Sequence, residues 1–344
     1  INDAPNTEQD YWVARSMLLS AGLIKLDAHK GVHLKPTRPI PYYFHTKESG
    51  IIAGLVICIF VMMGVTGARL YLRAFTHRLK WGMDDTLMIP GLIMAVAYPS
   101  IQIAVVQYGG AGRHIYDVSY HQITIEDCHV LIILLIQLAA VAQIDFFVCV
   151  GIVKMSITVF NIRLTSMASR GWQIGNWIFL SIIICYIIIA FFLNVIQCVP
   201  AATSFDLVNY GKRATAPKCM GIREMGTILR AINITMDYLL LATPIIVLWR
   251  VQMSWKKKAW LFALSCVGGL ACIGSVMTLV AKTHLKSDPL WNYTGILGWS
   301  LVELVFSVLA ASLPTLAFLL LPTSIRTNQC EASEPYPSQP SQRR

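Results

Sequence analysis

Ionisable side chains occur inside otherwise apolar stretches of this 344-residue sequence, and their spacing groups them on helix faces. Arg230, Asn233 and Asp237 are spaced i, i+3 and i+7, which places all three on one face of a helix. A second segment repeats this spacing around Glu303, with a serine three residues before it and another four residues after it. Carboxyl groups in an apolar surrounding are candidate general acids and bases.

The two carboxyl groups have matched depth. Asp237 and Glu303 each lie ten residues inside predicted helices that begin near residues 227 and 293, which is about 15 Å along a helix axis. Two carboxylates at one depth can share a cavity, where one of them would be protonated at neutral pH. We therefore predict Asp237 and Glu303 as catalytic residues and Arg230 and Asn233 as ligand-binding residues. The alternative is that these groups only hold neighbouring helices together.

A further predicted helix carries Asp145 and Lys154, nine residues apart and therefore on opposite faces. Asp145 is a third candidate for catalysis. Lys154 is predicted to have a structural role, because it falls toward the end of its helix where Asp84 or Asp85, at the start of another predicted helix, would supply a counter-ion.

His114 follows the glycine-rich stretch 109–112, and it is predicted either to cap a ligand cavity from outside or to belong to a simple surface loop. The sequence contains no P-loop, no H-E-x-x-H and no C-x-x-C. We therefore predict no metal site and no cofactor.

Composition shows which elements must carry these residues. The chain is 56% hydrophobic and 13% charged, whereas an average soluble domain is about one quarter charged. This composition excludes a cytosolic globular enzyme and a disordered chain. It predicts that the chain lies in a lipid bilayer. Lys and Arg number 28 against 18 Asp and Glu, but no basic stripe with interleaved aromatic residues indicates nucleic acid.

Seven apolar stretches are each long enough for a membrane helix of about 20 residues. They are 51–71, 86–108, 129–162, 175–198, 227–249, 259–281 and 293–321. Because they are continuously apolar and do not alternate as membrane strands do, they predict an all-α membrane protein with a seven-transmembrane helix bundle. The predicted domains are an N-terminal extramembrane segment at 1–49, the bundle at 50–322 and a short disordered cytosolic tail at 323–344. An amphipathic helix is expected near 11–24, lying on the membrane or capping the bundle.

The distribution of Lys and Arg between the connections favours an N-terminus outside or in the lumen and a cytosolic C-terminus. On the outer side, Asn292 begins a glycosylation sequon. The same side holds Cys128, Cys198 and Cys219, so two alternative disulfide pairings are considered. Cys198–Cys219, which we prefer, would pin the long fourth-to-fifth connection to the fourth helix, and Cys128–Cys219 would tie it to the third.

A set of short motifs occurs in a fixed order along about residues 50 to 322. They are Trp81-Gly82-Met83-Asp84-Asp85, Gly110-Ala111-Gly112-Arg113-His114, Lys154-Met155-Ser156, Gln197-Cys198-Val199-Pro200 with Cys219, Asp237 with Pro244, and Trp299 with Glu303 and Pro314. In this order they resemble the fungal rhodopsin-domain family of integral membrane proteins, which includes the satratoxin-cluster membrane protein and receptor-like proteins of filamentous fungi. The resemblance implies a seven-helix membrane protein and supports the Cys198–Cys219 pairing. The last predicted span contains no lysine for a retinal Schiff base, so we expect no light sensing.

Two classes of function remain, and the sequence leaves open whether the chain is an enzyme. The first is a component of fungal secondary-metabolite biosynthesis, acting as an acid–base cyclase or isomerase on a lipophilic small molecule. The second is a receptor-like cell-surface sensor coupled to a heterotrimeric G protein, which the short 250–258 connection and the short tail disfavour. A transporter ranks third, since no inverted repeat is evident. The chain would reside in the plasma membrane or in the endoplasmic reticulum and other endomembranes.

Overall fold

The computed structural model describes residues 4–20, 26–31, 41–76, 81–117, 129–165, 170–196, 198–199, 207–212, 218–219, 222–250, 255–283 and 288–320. A long helix overlaps each of the seven predicted segments. They are α2 (Glu48–Phe75), α3 (Met83–Gly109), α4 (His129–Thr165), α5 (Arg170–Val195), α7 (Ile222–Arg250), α8 (Trp255–Thr283) and α9 (Pro289–Leu320). Two shorter helices, α1 (Glu8–Ser20) and α6 (Leu207–Lys212), lie outside these segments.

Six stretches of the described chain are long and apolar enough to cross a membrane. They are Glu48–Phe75, Met83–Gly109, Val141–Arg163, Arg170–Val195, Phe262–Thr283 and Leu290–Leu316. The chain is therefore a multi-pass, all-helical membrane protein, as its composition predicts. Helix α7 belongs to the same bundle, because it packs against α4 and α8, and it carries Arg230 and Asp237 near its middle.

The long helices alternate in direction. Helices α2, α4, α7 and α9 begin at the end of the bundle where α3, α5 and α8 finish, and we call this the upper end; the opposite end is the lower end. Helix α9 packs against α8, α2 and α4, while α4 also packs against α3 and α5. The core between them contains Leu55, Phe147, Ile183 and Leu304, all buried. Large apolar residues such as Phe60 face outward, where lipid solvates them.

A loop with two left-handed glycines ties three helices together at the upper end. Gly110 ends α3 with φ 67°, and Gly112 has φ 98°, a backbone region that favours glycine. The Gly112 N–H donates to the Leu290 carbonyl at 3.2 Å, and the Gly112 carbonyl accepts from Lys47 N–H at 3.1 Å. Glu48 forms an ion pair with Arg113, with 3.0 Å between Oε2 and Nη2. The hydrogen bond from the Arg113 guanidinium to Glu48 raises the pKa of Arg113, which keeps the guanidinium charged.

The long connection between α5 and α7 contains further structure. Helix α1 packs against α6, and the close approach uses Gly211, where a β-carbon would overlap the Trp12 backbone carbonyl. Two short strands, β1 (Cys198–Val199) and β2 (Lys218–Cys219), pair antiparallel with Cys198 directly opposite Cys219. Cys128 and residues 323–344 lie outside the described residues.

Candidate functional site

A buried ion pair joins α4 to α7 in the middle of the bundle. The ammonium nitrogen of Lys154 lies 3.0 Å from Oδ1 of Asp237. The same nitrogen donates to the Asn233 main-chain carbonyl at 2.9 Å and to Asn233 Oδ1 at 2.6 Å. These contacts use all three ammonium hydrogens. Ser275 on α8 donates to the other oxygen of Asp237 at 2.9 Å, so the pair is satisfied on both sides.

A second buried ion pair lies two turns nearer the upper end along α7. Arg230 Nη1 on α7 is 2.9 Å from Oε2 of Glu303 on α9, and Asn233 Nδ2 donates to Oε1 of Glu303 at 2.6 Å. Glu303 is fully buried, and the Arg230 guanidinium lies 4.5 Å from the ring centre of Phe146. Asn233 thus links the two ion pairs into one network, which includes side chains from α4, α7, α8 and α9.

The close packing of α8 on α9 positions Glu303. A β-carbon at Gly274 would lie 2.8 Å from the Glu303 backbone nitrogen and 3.1 Å from its Cα. Only glycine permits this approach without displacement of one helix. Because Ser275 follows Gly274 directly, the same approach brings the Ser275 hydroxyl to Asp237.

The helical faces predicted from spacing are confirmed, but two predicted relationships are wrong. Arg230, Asn233 and Asp237 all point into the bundle and are buried. The two carboxylates, however, are not paired with each other: Asp237 is paired with Lys154 and Glu303 with Arg230. The cation that faces each carboxylate depends on which helices are neighbours, and one sequence does not contain that geometry.

The predicted pairing of Lys154 with Asp84 or Asp85 is also wrong. Asp84 binds Arg163, with Nη1 and Oδ1 2.6 Å apart, and Arg69, with Nη2 and Oδ2 2.8 Å apart. Helix α4 extends to Thr165, so Arg163 reaches the lower end and Lys154 lies nine residues deeper, about 13 Å along the axis. Depth alone does not separate Lys154 from α3, because Ser156, two residues further along α4, donates to the Asp84 main-chain carbonyl at 2.8 Å. Lys154 instead points from another side of α4 toward Asp237 on α7.

The lower cluster of charges around Asp84 and Asp85 was missed by sequence reasoning. Arg69 Nε lies 3.0 Å from Asp85 Oδ1, and Arg73 Nε lies 3.3 Å from Asp85 Oδ2. Arg69 also donates to the Ala311 carbonyl of α9. The available signal was two arginines four residues apart at the end of an apolar segment, followed after a short connection by two adjacent aspartates.

Asp145 lies outside the network. It is 8% exposed, and its Oδ2 has no hydrogen-bond partner within the described part of the chain. One turn further along the same face, the Cys149 thiol donates to the Gly91 carbonyl at 3.5 Å. Asp145 therefore lies on the face that α4 turns toward α3, away from Asp237.

His114 packs at the upper end and does not line the central network. Its Nδ1 lies 2.8 Å from Oδ2 of Asp288, and its ring stacks on Trp291 with centroids 4.0 Å apart. Asp288 caps the start of α9, since its Oδ1 accepts from Trp291 N–H at 3.3 Å. Asn292 belongs to the first turn of this helix, where its N–H donates to the Asp288 carbonyl at 2.9 Å.

A cavity of about 50 Å³ lies directly below the Lys154–Asp237 pair. This volume corresponds to about three or four water molecules. Its polar lining consists of that pair and three further side chains, Asn161, Ser265 and Ser307. Its apolar lining comes from α4, α7, α8 and α9 and includes Ile157, Leu240, Leu241, Leu264 and Ala310. Leu240, Leu241 and Leu264 are partly exposed, so the cavity lies close to the lipid-facing seam between α7 and α8.

Across the described residues, no three His, Cys, Asp or Glu side chains are grouped to hold a metal ion.

These features define a multi-pass helical membrane protein with a charged network and a small cavity inside its bundle. The chain belongs to the family described as the fungal rhodopsin domain, whose model matches residues 68–321. This confirms the resemblance drawn from the ordered motifs.

Three relatives show how broad this family is. The chain is 28% identical over 183 residues to a SAT4 family membrane protein of Emericella nidulans, covering 52% of this chain and 44% of the relative. It is 23% identical over 134 residues to Fugralins biosynthesis cluster protein 2 of Gibberella zeae, covering 38% and 32%. It is 21% identical over 288 residues to Receptor GIN3 of Arthrobotrys oligospora, covering 82% and 65%. The matches thus span between about one third and two thirds of each relative. No solved structure matches.

Proposed function

We propose that this protein takes a lipophilic small molecule into the cavity below Lys154 and Asp237 as part of a secondary-metabolite pathway. The observation that carries the proposal is the chemistry of the cavity: apolar walls from four helices meet one ion pair. Such a lining holds an apolar body and orients one polar group. The relative named as a biosynthesis cluster protein supports the same class of role.

The chemistry that fits this lining is a proton transfer that leaves the substrate's composition unchanged. Asp237 accepts a proton from a C–H group of the bound molecule. The Lys154 ammonium exchanges its hydrogen bond to the Asn233 main-chain carbonyl for one to a carbonyl oxygen or alkene carbon of the same molecule, and it donates a proton there. The product is an isomer or a cyclised form, and no oxidant is consumed. Glu303 and Arg230 act as positioning residues, because Glu303 holds the Asn233 amide that accepts from Lys154.

The test is deletion of the gene in the source organism, followed by metabolite profiling and complementation. We expect deletion to remove a product and the wild-type gene to restore it. We expect no restoration of the product by Asp237→Asn, by Lys154→Met or by the double variant. The double variant should fail to restore it although it leaves no unpaired charge. Thr278→Val is the matched control, since Thr278 is buried on α8 and donates to the Gly274 carbonyl at 2.8 Å, away from the cavity lining. An unchanged metabolome after deletion, or full rescue by the double variant, would exclude this function.

A receptor is the second candidate. Its supporting observation is that the Lys154, Asp237, Asn233 and Glu303 network connects four helices, so a ligand that breaks it would change how they pack. The relative named as a receptor aligns over 82% of this chain. In this case the protein would reside in the plasma membrane and act on a heterotrimeric G protein. Membranes containing the Lys154→Met/Asp237→Asn variant should then catalyse more basal nucleotide exchange than wild type, and no exchange from any variant would exclude a receptor.

The proposed topology has seven spans, because α7 is added to the six stretches given above. In chain order α7 is the fifth span. Its 29 residues correspond to about 43 Å of helix, and Arg230 and Asp237 on it are buried and face other helices instead of lipid. The N-terminus is outside or lumenal and the C-terminus cytosolic, because Arg69, Arg73 and Arg163 gather at the lower end. A reporter enzyme that works only in the cytosol should be active when it is fused after residue 344, and one that works only outside the cytosol should be inactive. The opposite pair of results would reverse the proposed topology.

A further inference from the structure

Lys282 is a cation that the ion-pair networks leave unbalanced. It lies in the last turn of α8 at the upper end of the bundle and is partly exposed. Among the residues whose side chains the structure describes, none forms an ion pair with it. A lysine at such a position is costly unless an anion or water satisfies it.

The groups around Lys282 are hydrogen-bond donors. A β-carbon built on Gly226 of α7 would lie 3.6 Å from Lys282 Nζ and 3.9 Å from Gln143 Nε2 on α4. The Gln143 amide already donates one hydrogen to Asn194 Oδ1 at 2.8 Å, which leaves its second hydrogen available. Two donors from different helices therefore converge beside Gly226, where a β-carbon would be in ordinary van der Waals contact with both nitrogens.

Arg230 increases this excess of positive charge. It lies four residues after Gly226, one turn deeper on the same face of α7. One carboxylate, Glu303, faces Arg230, and the Arg230 Nε is buried without a hydrogen-bond partner in the described part of the chain. The Lys154–Asp237 pair below is neutral. Among the side chains that the structure describes, the upper half of this network thus contains two cations and one anion.

We propose that the space between Lys282, Gln143 and Gly226 binds the carboxylate of a small monoanion with an apolar body. One negative charge balances Lys282, which has no ion-pair partner among the described side chains, and a carboxylate accepts from both the ammonium and the amide. The apolar body is expected because the rings of Phe146 and Phe147 lie against Arg230 immediately below. This site lies on the opposite side of the Arg230–Glu303 pair from the cavity of the proposed function, so each can fail independently.

The first experiment compares two probes that differ in charge. Purified full-length protein in lipid nanodiscs is titrated with hexanoate or with 1-hexanol, and the Tm and the Kd are measured. Hexanoate should raise the Tm in a concentration-dependent way, and 1-hexanol should not. Lys282→Met should weaken hexanoate binding by about ten- to hundredfold, as expected for loss of a charged hydrogen bond. Lys212→Met, which removes the same charge from an exposed position on α6, should leave the Kd unchanged.

The second experiment supplies the carboxylate from the chain itself. Gly226→Asp places an acid where the β-carbon faces Lys282, and Gly226→Asn places a neutral side chain of equal size there. We expect the Asp variant to have the higher Tm and to lose its response to hexanoate. Equal responses to hexanoate and 1-hexanol, an unchanged Kd in Lys282→Met, or a lower Tm for Gly226→Asp than for Gly226→Asn would each overturn the proposal.

Discussion

Lys154 and Asp237, on different helices, form an ion pair whose nitrogen and oxygen are 3.0 Å apart and whose side chains are 1% and 7% exposed. Each charge loses its water when the bundle forms, so the pair is stable only because every partner is in place. The Asn233 oxygens complete the coordination of the ammonium. The pair therefore fixes the register of α7 against α4 whether or not it also acts on a ligand.

Removing one partner of this pair should cost more stability than removing both. Lys154→Met or Asp237→Asn alone leaves a buried unpaired charge, and we expect each to lower the free energy of unfolding by about 3 to 5 kcal/mol. The double variant Lys154→Met/Asp237→Asn removes both charges and should recover most of that loss. The Tm of the four proteins in one detergent gives the comparison. Additive losses would show that the two residues are not coupled.

The sequence was sufficient to predict the helices and the buried faces. Continuous apolar stretches gave helices at every predicted position, because lipid requires each backbone amide to be satisfied within its own segment. The spacing of Arg230, Asn233 and Asp237 gave the face correctly, since helical periodicity is a local property. The end of α4 was predicted at residue 162 and lies at Thr165, which is within the usual uncertainty of helix ends.

The partners of those residues could not be predicted, because they depend on which helices are neighbours. Lys154 was assigned to Asp84 from depth alone, but depth does not distinguish α3 from α7. Three features had no local signal: the approach of α8 to α9 at Gly274, the hydrogen bond from Ser275 to Asp237, and the position of Lys282 beside Gly226. Each arises from contact between segments that lie far apart in the chain.

Gly274→Ala should disturb the network without changing any charge. The added methyl group would lie 2.8 Å from the Glu303 nitrogen, so α8 and α9 must separate, at a cost of about 1 to 3 kcal/mol. Gly269→Ala on the same helix is the control. Nothing lies within 4 Å of its β-carbon, and alanine favours the helix by up to about 1 kcal/mol. A Tm for Gly274→Ala equal to or above that of Gly269→Ala would contradict this account of the packing.

Gly211→Ala should release α1 from the connection between α5 and α7. A β-carbon at this position overlaps the Trp12 carbonyl, and neither backbone can yield without separating α1 from α6. Hydrogen exchange of the amides in Glu8–Ser20 should then be faster by about tenfold, which corresponds to about 1.4 kcal/mol. Gly175→Ala on α5, where a β-carbon meets nothing within 4 Å, should leave this exchange unchanged. Equal protection in both variants would show that α1 is held by other contacts.

Cys198 and Cys219 should form a disulfide in protein purified from an oxidising compartment. They are directly opposite each other in the antiparallel pair of β1 and β2, where Cα atoms are about 4.5 to 5.5 Å apart, a separation that a disulfide spans. Closing the 198–219 loop should stabilise the fold by about 3 kcal/mol. Peptide mapping without reduction should recover the two cysteines in one cross-linked fragment, and Cys219→Ser should abolish it. Cys128→Ser should leave the fragment intact, whereas a fragment that links Cys128 to Cys219 would show that the long connection is tied to α4 instead of α5.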